Sequence, residues 1–233
     1  MASIAIITAR GGSKRLPKKN IKDFCGKPII AYSIIAALES QCFDEVMVST
    51  DSEEIAGIAK QYGAKVPFLR SEKTSNDFAT TADVVLEVLN KYIRGGYVYE
   101  YACCIYPTAP FVTDAKLKAA QEILLKGDAD TVMPVTAFSF PPQRGLVVRD
   151  GEITPMYPEY MLKRSQDLPR VYHDCGQFYY FKVDRFLENK NIMGRHTVPV
   201  FVDEMEVQDI DNETDWRLAE LKFKIMEAIN DKE

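Results

Sequence analysis

Five cationic side chains, Arg10, Lys14, Arg15, Lys18 and Lys19, fall within ten consecutive residues of a chain whose net charge is −5. Gly11, Gly12 and Ser13 are interleaved with them, and Asn20 closes the run. Glycines let the backbone turn tightly and bring N–H groups close to a bound anion. Cations converging there suit a triphosphate. The segment is neither G-x-x-x-x-G-K-[ST] nor G-x-G-x-x-G, so it is not a Walker loop or a dinucleotide fingerprint. A solvated basic turn has the same composition. The run directly follows an apolar stretch, Ile4–Thr8, which favours the ligand-binding edge of a sheet.

A second constellation lies near the end of the chain. Asp209 and Asp211 are two residues apart, a spacing that puts both carboxylates on one face of an extended segment. Like charges so close repel unless a cation sits between them. The same pair also fits a plain reading, with Asp211 capping the last helix and Asp209 solvated. Asp51 ends a strand and is either a helix cap or a second acid of a nucleotide site. Arg70 closes a short apolar stretch and precedes a polar segment on the same edge. Thr81 opens an amphipathic run and serves as its N-cap, faces a ligand, or does both.

These residues need a frame. Apolar runs at Ile4–Thr8, Glu45–Thr50, Val66–Leu69, Tyr101–Tyr106 and Thr131–Val135 read as strands. Helical patterns run from Pro28, from an Asp51-Ser52 cap to Tyr62, from Thr81 to Arg94, and from an Asp114 cap to Lys126. Strand and helix alternate over about 135 residues, which predicts a parallel sheet covered on both faces. The pattern then breaks into proline-punctuated stretches. Gly145–Arg149 and Gly151–Thr154 predict a hairpin about an Asp-Gly turn. Gln177–Lys182 and Val198–Val202 read as further strands, and a final helix starts at Asp211 or Asn212 and runs to about Ile229. Residues 138–198 are expected to form an arm inserted in one domain spanning 1–233.

Composition excludes several classes. With 46% hydrophobic and 27% charged residues among 233, the chain is an ordinary globular one. An acidic pI near 5.3 excludes general nucleic-acid binding through a basic surface. No apolar run approaches the ~18 residues that span a membrane. Five cysteines, an odd number with no C-x-x-C, fit reduced buried thiols in a cytoplasmic protein. The only histidines are His173 and His196. Neither sits in an H-E-x-x-H motif, and His173 is expected to be structural.

Six ordered blocks together resemble the acylneuraminate cytidylyltransferases. They are Ala9–Ile21 (ARGGSKRxPxKNI), Ser49-Thr50-Asp51, Arg70 with Asp77–Thr81, Pro107–Pro110, Arg164–Pro169 with Tyr172 and Gly176, and Asp209–Asp211. The resemblance implies a three-layer α/β fold of the GT-A-like nucleotide-diphospho-sugar transferase type, with a mostly parallel central sheet. It implies transfer of CMP from CTP to a nonulosonic acid with release of pyrophosphate, a homodimer joined through the inserted arm, and dependence on Mg2+. By residue, it implies that Arg10, Lys14 and Lys19 are catalytic phosphate ligands aided by Gly11, Gly12 and Ser13. Asn20, Arg70, Ala79 and Thr81 complete the nucleotide site. Asp209 and Asp211 hold the metal, and Tyr106, Thr108, Arg164, Gln166 and Tyr179 bind the sugar.

The blocks also depart from the sialic-acid pattern. Where Q-P-T-S-P is usual, this chain has Tyr106-Pro107-Thr108-Ala109-Pro110. The N-G-A-I-Y block is Cys175-Gly176-Gln177-Phe178-Tyr179, and R-P is Arg70-Ser71. These variants resemble the branch acting on pseudaminic acid, whose methyl terminus wants a more apolar pocket. Tyr106, Phe138 and Phe140 are expected to line it. N-acetylneuraminate or legionaminate is the alternative sugar. A non-catalytic nucleotide-sugar-binding protein is the alternative from another class, and retention of the full set of charged residues argues against it.

Overall fold

The computed structural model describes residues 1–230. In chain order the strands are β1 (Ser3–Thr8), β2 (Asp23–Phe24), β3 (Lys27–Pro28), β4 (Glu45–Ser49), β5 (Tyr101–Ile105), β6 (Thr131–Ala137), β7 (Leu146–Arg149), β8 (Glu152–Pro155), β9 (Tyr172–Asp174), β10 (Phe178–Lys182) and β11 (Thr197–Phe201). The helices are α1 (Ile29–Ser40), α2 (Glu53–Gln61), α3 (Glu72–Ser75), α4 (Thr81–Arg94), α5 (Asp114–Lys126), α6 (Val183–Asn189) and α7 (Glu213–Asn230).

Residues on alternate sides of β1 enter different cores, because side chains alternate across a strand. Ala5 and Ile7 pack with Ile30 and Ile34 of α1 and Leu117 and Leu124 of α5. Ile4 and Ile6 pack with Val85, Val88 and Leu89 of α4 and Phe186 of α6. The result is the expected three-layer α/β fold. The order across the sheet is β11-β6-β10-β5-β1-β4. The β1 pairings with β4 and β5 are parallel, as is β6 with β11. Strand β10 lies antiparallel between β5 and β6, so the sheet is mixed.

Several expectations change in detail. The stretch Val66–Leu69 is not a strand. Only Lys65 bridges to Met47, and Pro67 has no N–H with which to continue the ladder. Ser52, not Asp51, caps α2 by accepting from the Ile55 N–H, and Thr113, not Asp114, caps α5. The expected arm takes up only part of residues 138–198. The part from 138 to 171 carries the β7–β8 hairpin, whose turn has Asp150 at φ 51° and Gly151 at φ 83°. From Tyr172 onward the chain returns to the main sheet. There β9 and β10 run one after the other along β6, interrupted where Gly176 adopts φ 60°.

A third apolar cluster positions the chemistry. Leu16, from the cation-rich loop, and Ile210, from between the two aspartates, are buried together with Phe24 and Trp216. Burying such side chains contributes roughly 1.5–3 kcal/mol each. It draws the loop after β1 and the segment before α7 to the same place.

Candidate active site

The loop after β1, the segment 70–81 and the end of β5 surround a cavity of about 510 Å³. Arg10, Ser13, Lys14, Lys19, Asn20, Arg70, Ala79, Thr81, Tyr106, Thr108 and Asp211 line it, eleven of the residues expected from sequence. They reach it by long-range folding: Lys19 and Asp211 are 192 positions apart in the chain.

The cations are held in distinct ways. Lys19 donates to the Ile210 carbonyl at 2.6 Å, and its amine lies 3.8 Å from Asp211 Oδ1. Burial lowers its pKa from the ordinary lysine value, against the opposing charges of Asp211 and Asp209. Arg15 pairs with Asp211 Oδ2 at 2.7 Å. Asp77 bridges Arg10, at 2.8 Å, and Lys14. Those hydrogen bonds, from Lys14 first, hold its carboxyl below the usual range. Arg70 is only 8% exposed and donates to the Ser49 side chain at 3.1 Å and the Ser49 carbonyl at 2.6 Å. Burial lowers its pKa, with Asp51 acting in the opposite sense. Asn20 donates to the Arg10 carbonyl at 2.8 Å, so it braces the loop it terminates.

Thr81 is the first residue of α4. Thr80 caps the helix and exchanges hydrogen bonds with Asp83. That leaves the Thr81 hydroxyl 3.2 Å from the Tyr106 hydroxyl at the cavity wall. Tyr179 is buried behind Tyr106, with ring centroids 5.7 Å apart. It donates to Asp174, and burial together with that bond raises its pKa. It therefore supports the wall and does not line the cavity, contrary to its expected contact with sugar.

Other expected residues also lie elsewhere. Gly11 turns its N–H to Asp51 Oδ1 at 2.8 Å. Neither it nor Gly12 is among the lining residues. Asp51 is thus a brace for the loop. Asp209 is exposed and is not among the residues that line the cavity. Arg164 and Gln166 are exposed on the arm and do not reach the cavity of their own chain. Phe138 lines a different cleft, with Tyr172 and Phe201, and Phe140 is exposed. Neither lines the cavity that holds Tyr106. Sequence reasoning assigned no role to Asp77, Thr74 or Asn76, all of which line the cavity. Their position directly after Arg70 was the available signal.

Among the described residues, no three or more His, Cys, Asp or Glu side chains group as a metal site. Asp209 and Asp211 do supply two hard oxygen donors whose charges both act on Lys19. Magnesium characteristically takes one or two carboxylates and completes its shell with phosphate oxygens and water. The pair fits that ion.

A mixed α/β sheet whose first strand delivers a cation-rich loop into a cleft defines a nucleotidyltransferase. A family model described as cytidylyltransferase matches residues 4–207, and the chain belongs to that family. It is 39% identical over 226 residues to a pseudaminic acid cytidylyltransferase of Campylobacter jejuni, covering 97% of each chain. It is 35% identical to a CMP-N,N'-diacetyllegionaminic acid synthase of Legionella pneumophila, again over 97% of each. A CMP:2-keto-3-deoxy-manno-octonic acid synthetase solved with CTP shares the fold at a TM-score of 0.68 and 18% identity, covering 98% of this chain and 100% of that one.

Proposed function

We propose that the protein transfers CMP from CTP to pseudaminic acid and releases pyrophosphate. The observation that carries this reading is the convergence of Arg10, Lys14, Lys19 and Arg70 on one cleft of an acidic protein. The 39% identity to a pseudaminic acid cytidylyltransferase supports the choice of sugar.

A sugar hydroxyl attacks the α-phosphorus in line. The bond to the bridging oxygen breaks, pyrophosphate leaves with the electron pair, and the hydroxyl proton passes to solvent. Little covalent chemistry is asked of the protein, so positioning and charge stabilisation dominate. Arg10, Lys14 and Lys19 neutralise the triphosphate and the leaving pyrophosphate. The Ser13 hydroxyl contributes a further donor. Asn20, Ala79 and Thr81 surround the base, and Arg70 faces the phosphates from the opposite wall. Tyr106 and Thr108 contact the sugar. Asp209 and Asp211 would hold Mg2+, which when bound lowers the pKa of the attacking hydroxyl and screens the α-phosphate.

The working form is a homodimer. The hairpin β7–β8 leaves Val148 67% and Ile153 64% exposed, and Phe138, Phe140, Tyr157 and Phe201 are exposed nearby in the chain or on the cleft behind β9. Such surface is normally covered by a partner. Arg164 and Gln166 then serve the cavity of the partner copy. A cytoplasmic location accords with the CTP requirement and with five free cysteines. No helix among the described residues is long and apolar enough to cross a membrane.

Pyrophosphate release from CTP, measured with pseudaminic, legionaminic and N-acetylneuraminic acids in parallel, tests the reading. Turnover with pseudaminic acid above the others is expected. A preference for legionaminic acid promotes the alternative supported by the Legionella relative. Absence of turnover with every sugar, with CTP still bound, leaves only a binding protein.

A further inference from the structure

Arg70 reaches the cavity from a stretch of chain with little regular structure: Val66–Leu69 is not a strand, and α3 is a single turn. Arg70 itself bonds to Ser49 and, through its N–H, to the Thr50 carbonyl at 2.8 Å. Two residues one turn apart on α4 hold the chain on either side of it. Glu87 Oε1 accepts the Ser71 N–H at 3.0 Å, and Oε2 accepts the Ser71 hydroxyl at 2.6 Å and the Thr74 hydroxyl. Lys91 pairs with Glu87 Oε1 at 2.7 Å, donates to the Leu69 carbonyl at 2.9 Å, and lies 4.5 Å over the Phe68 ring. The chain is thus gripped immediately before and immediately after Arg70.

The grip is built to last. The Glu87 side chain is 15% exposed. Burial alone pushes its carboxyl up, but hydrogen bonds from Lys91, Ser71 and Thr74 outweigh that and bring it to about 2. It stays charged at any working pH. Thr74 also lines the nucleotide cavity on one side and a second cleft with Glu87 and Lys91 on the other. So α3 is a thin wall, and Glu87 holds it from behind.

We propose that Glu87, with Lys91, is a positioning residue for the nucleotide site. It touches no substrate. It fixes the 69–74 segment so that Arg70 stands preformed at the cavity. The inference rests on the cytidylyltransferase reading, because it assumes the cavity takes CTP.

The test is CTP binding by calorimetry alongside steady-state kinetics. Glu87→Gln keeps the shape but removes the charge and one acceptor. The variant Ser71→Ala removes a donor on the loop side, away from the cavity lining, and leaves α4 untouched. Both are expected to weaken CTP binding about tenfold, as loss of a charge-assisted hydrogen bond does, with kcat within about twofold because the reacting groups are elsewhere. On an Arg70→Ala background, Glu87→Gln is expected to add little, since its effect passes through Arg70. Unchanged CTP affinity in both variants overturns the inference, as does full additivity with Arg70→Ala. Failure of the wild-type protein to bind CTP would count against the functional reading instead. A merely destabilised fold would lower thermal stability without the selective rise in KM over kcat.

Discussion

The Gly11 N–H donates to the Asp51 carboxylate across 2.8 Å, tying the loop after β1 to the turn after β4. A carbon added at Gly11 would stand 3.2 Å from Ser52 Cβ. The two turns are therefore packed as well as bonded. Removing the carboxylate frees the loop that presents Arg10 and Lys14. Asp51→Ala is expected to raise KM for CTP by about tenfold or more, the scale of one hydrogen bond to a charged group, ~1.5–3 kcal/mol. A KM within twofold of wild type would remove Asp51 from the site's support.

Lys19 is more than a solvent-facing loop cation. It joins its loop to the 209–211 segment through the Ile210 carbonyl. Lys19→Ala is expected to cost ~2.7–4 kcal/mol in turnover, as for a lost transition-state contact, and to lower thermal stability slightly. Its pH behaviour follows from the lowered pKa. The unfolded chain holds this proton more tightly, so stability rises with pH between the folded value and 10.5. Phosphate binding needs the charged amine and falls over the same window. An alkaline limb in kcat/KM below 10.5 that disappears in Lys19→Ala checks this. A limb unaffected by the substitution defeats it.

Asp211 is compensated in the free protein by Arg15 and Lys19. Sequence spacing alone suggested two repelling carboxylates whose neutralisation would leave stability unchanged or slightly raised. The ion pairs remove the ground for a gain at Asp211. Asp211→Asn should lose activity at ordinary magnesium levels and leave the metal-free protein unchanged or slightly less stable, because exposed pairs contribute only ~0–1 kcal/mol. Asp209→Asn should lose activity with no stability cost. Full activity of both variants at low magnesium would place the metal elsewhere.

What was legible in the sequence was mostly local. The strand β1, the loop it feeds, and the helices α1, α4 and α7 follow from apolar periodicity and turn chemistry within a dozen residues. Eleven expected residues meet in one cavity because their order along alternating strands and helices puts them on one sheet edge. What escaped was set by distant partners. Nothing near Phe178 announces that β10 lies antiparallel between β5 and β6. Nothing near Asp51 says that its carboxylate faces Gly11 while Ser52 takes the cap. For Tyr179, expected to contact the sugar, only the packing of its ring behind Tyr106 reveals that it stands behind the cavity wall.

The arm offers a direct test of assembly. Light scattering at micromolar concentration is expected to give twice the 26.4 kDa chain mass. Phe201→Asp, on the cleft shared with Phe138 and Tyr172, is expected to shift the mass toward one chain. A wild-type mass near 26.4 kDa would defeat the dimer.

Tyr106 governs the choice of sugar in this reading. It ends the run of β5, lines the cavity beside Thr108, and meets the Thr81 hydroxyl at 3.2 Å. A glutamine here would offer both a donor and an acceptor to a sugar substituent. Tyrosine offers one hydroxyl, already shared with Thr81, and a broad apolar face. A sugar with a methyl terminus gains from that face. A sugar with a polyhydroxylated tail finds fewer partners, and unpaired polar groups discriminate far more strongly than an apolar pocket does. Pseudaminic acid is therefore expected to be used at least ~10-fold better than N-acetylneuraminic acid in kcat/KM, each missing partner costing ~1–3 kcal/mol. Tyr106→Gln should narrow the gap while changing CTP affinity far less, because most of the nucleotide contacts lie on the loop after β1 and only Thr81 among them meets Tyr106. Tyr106→Phe separates hydroxyl from face: retained preference assigns the effect to the ring, and lost preference to the bond with Thr81. Equal or better use of N-acetylneuraminic acid by the wild-type enzyme would sink the assignment.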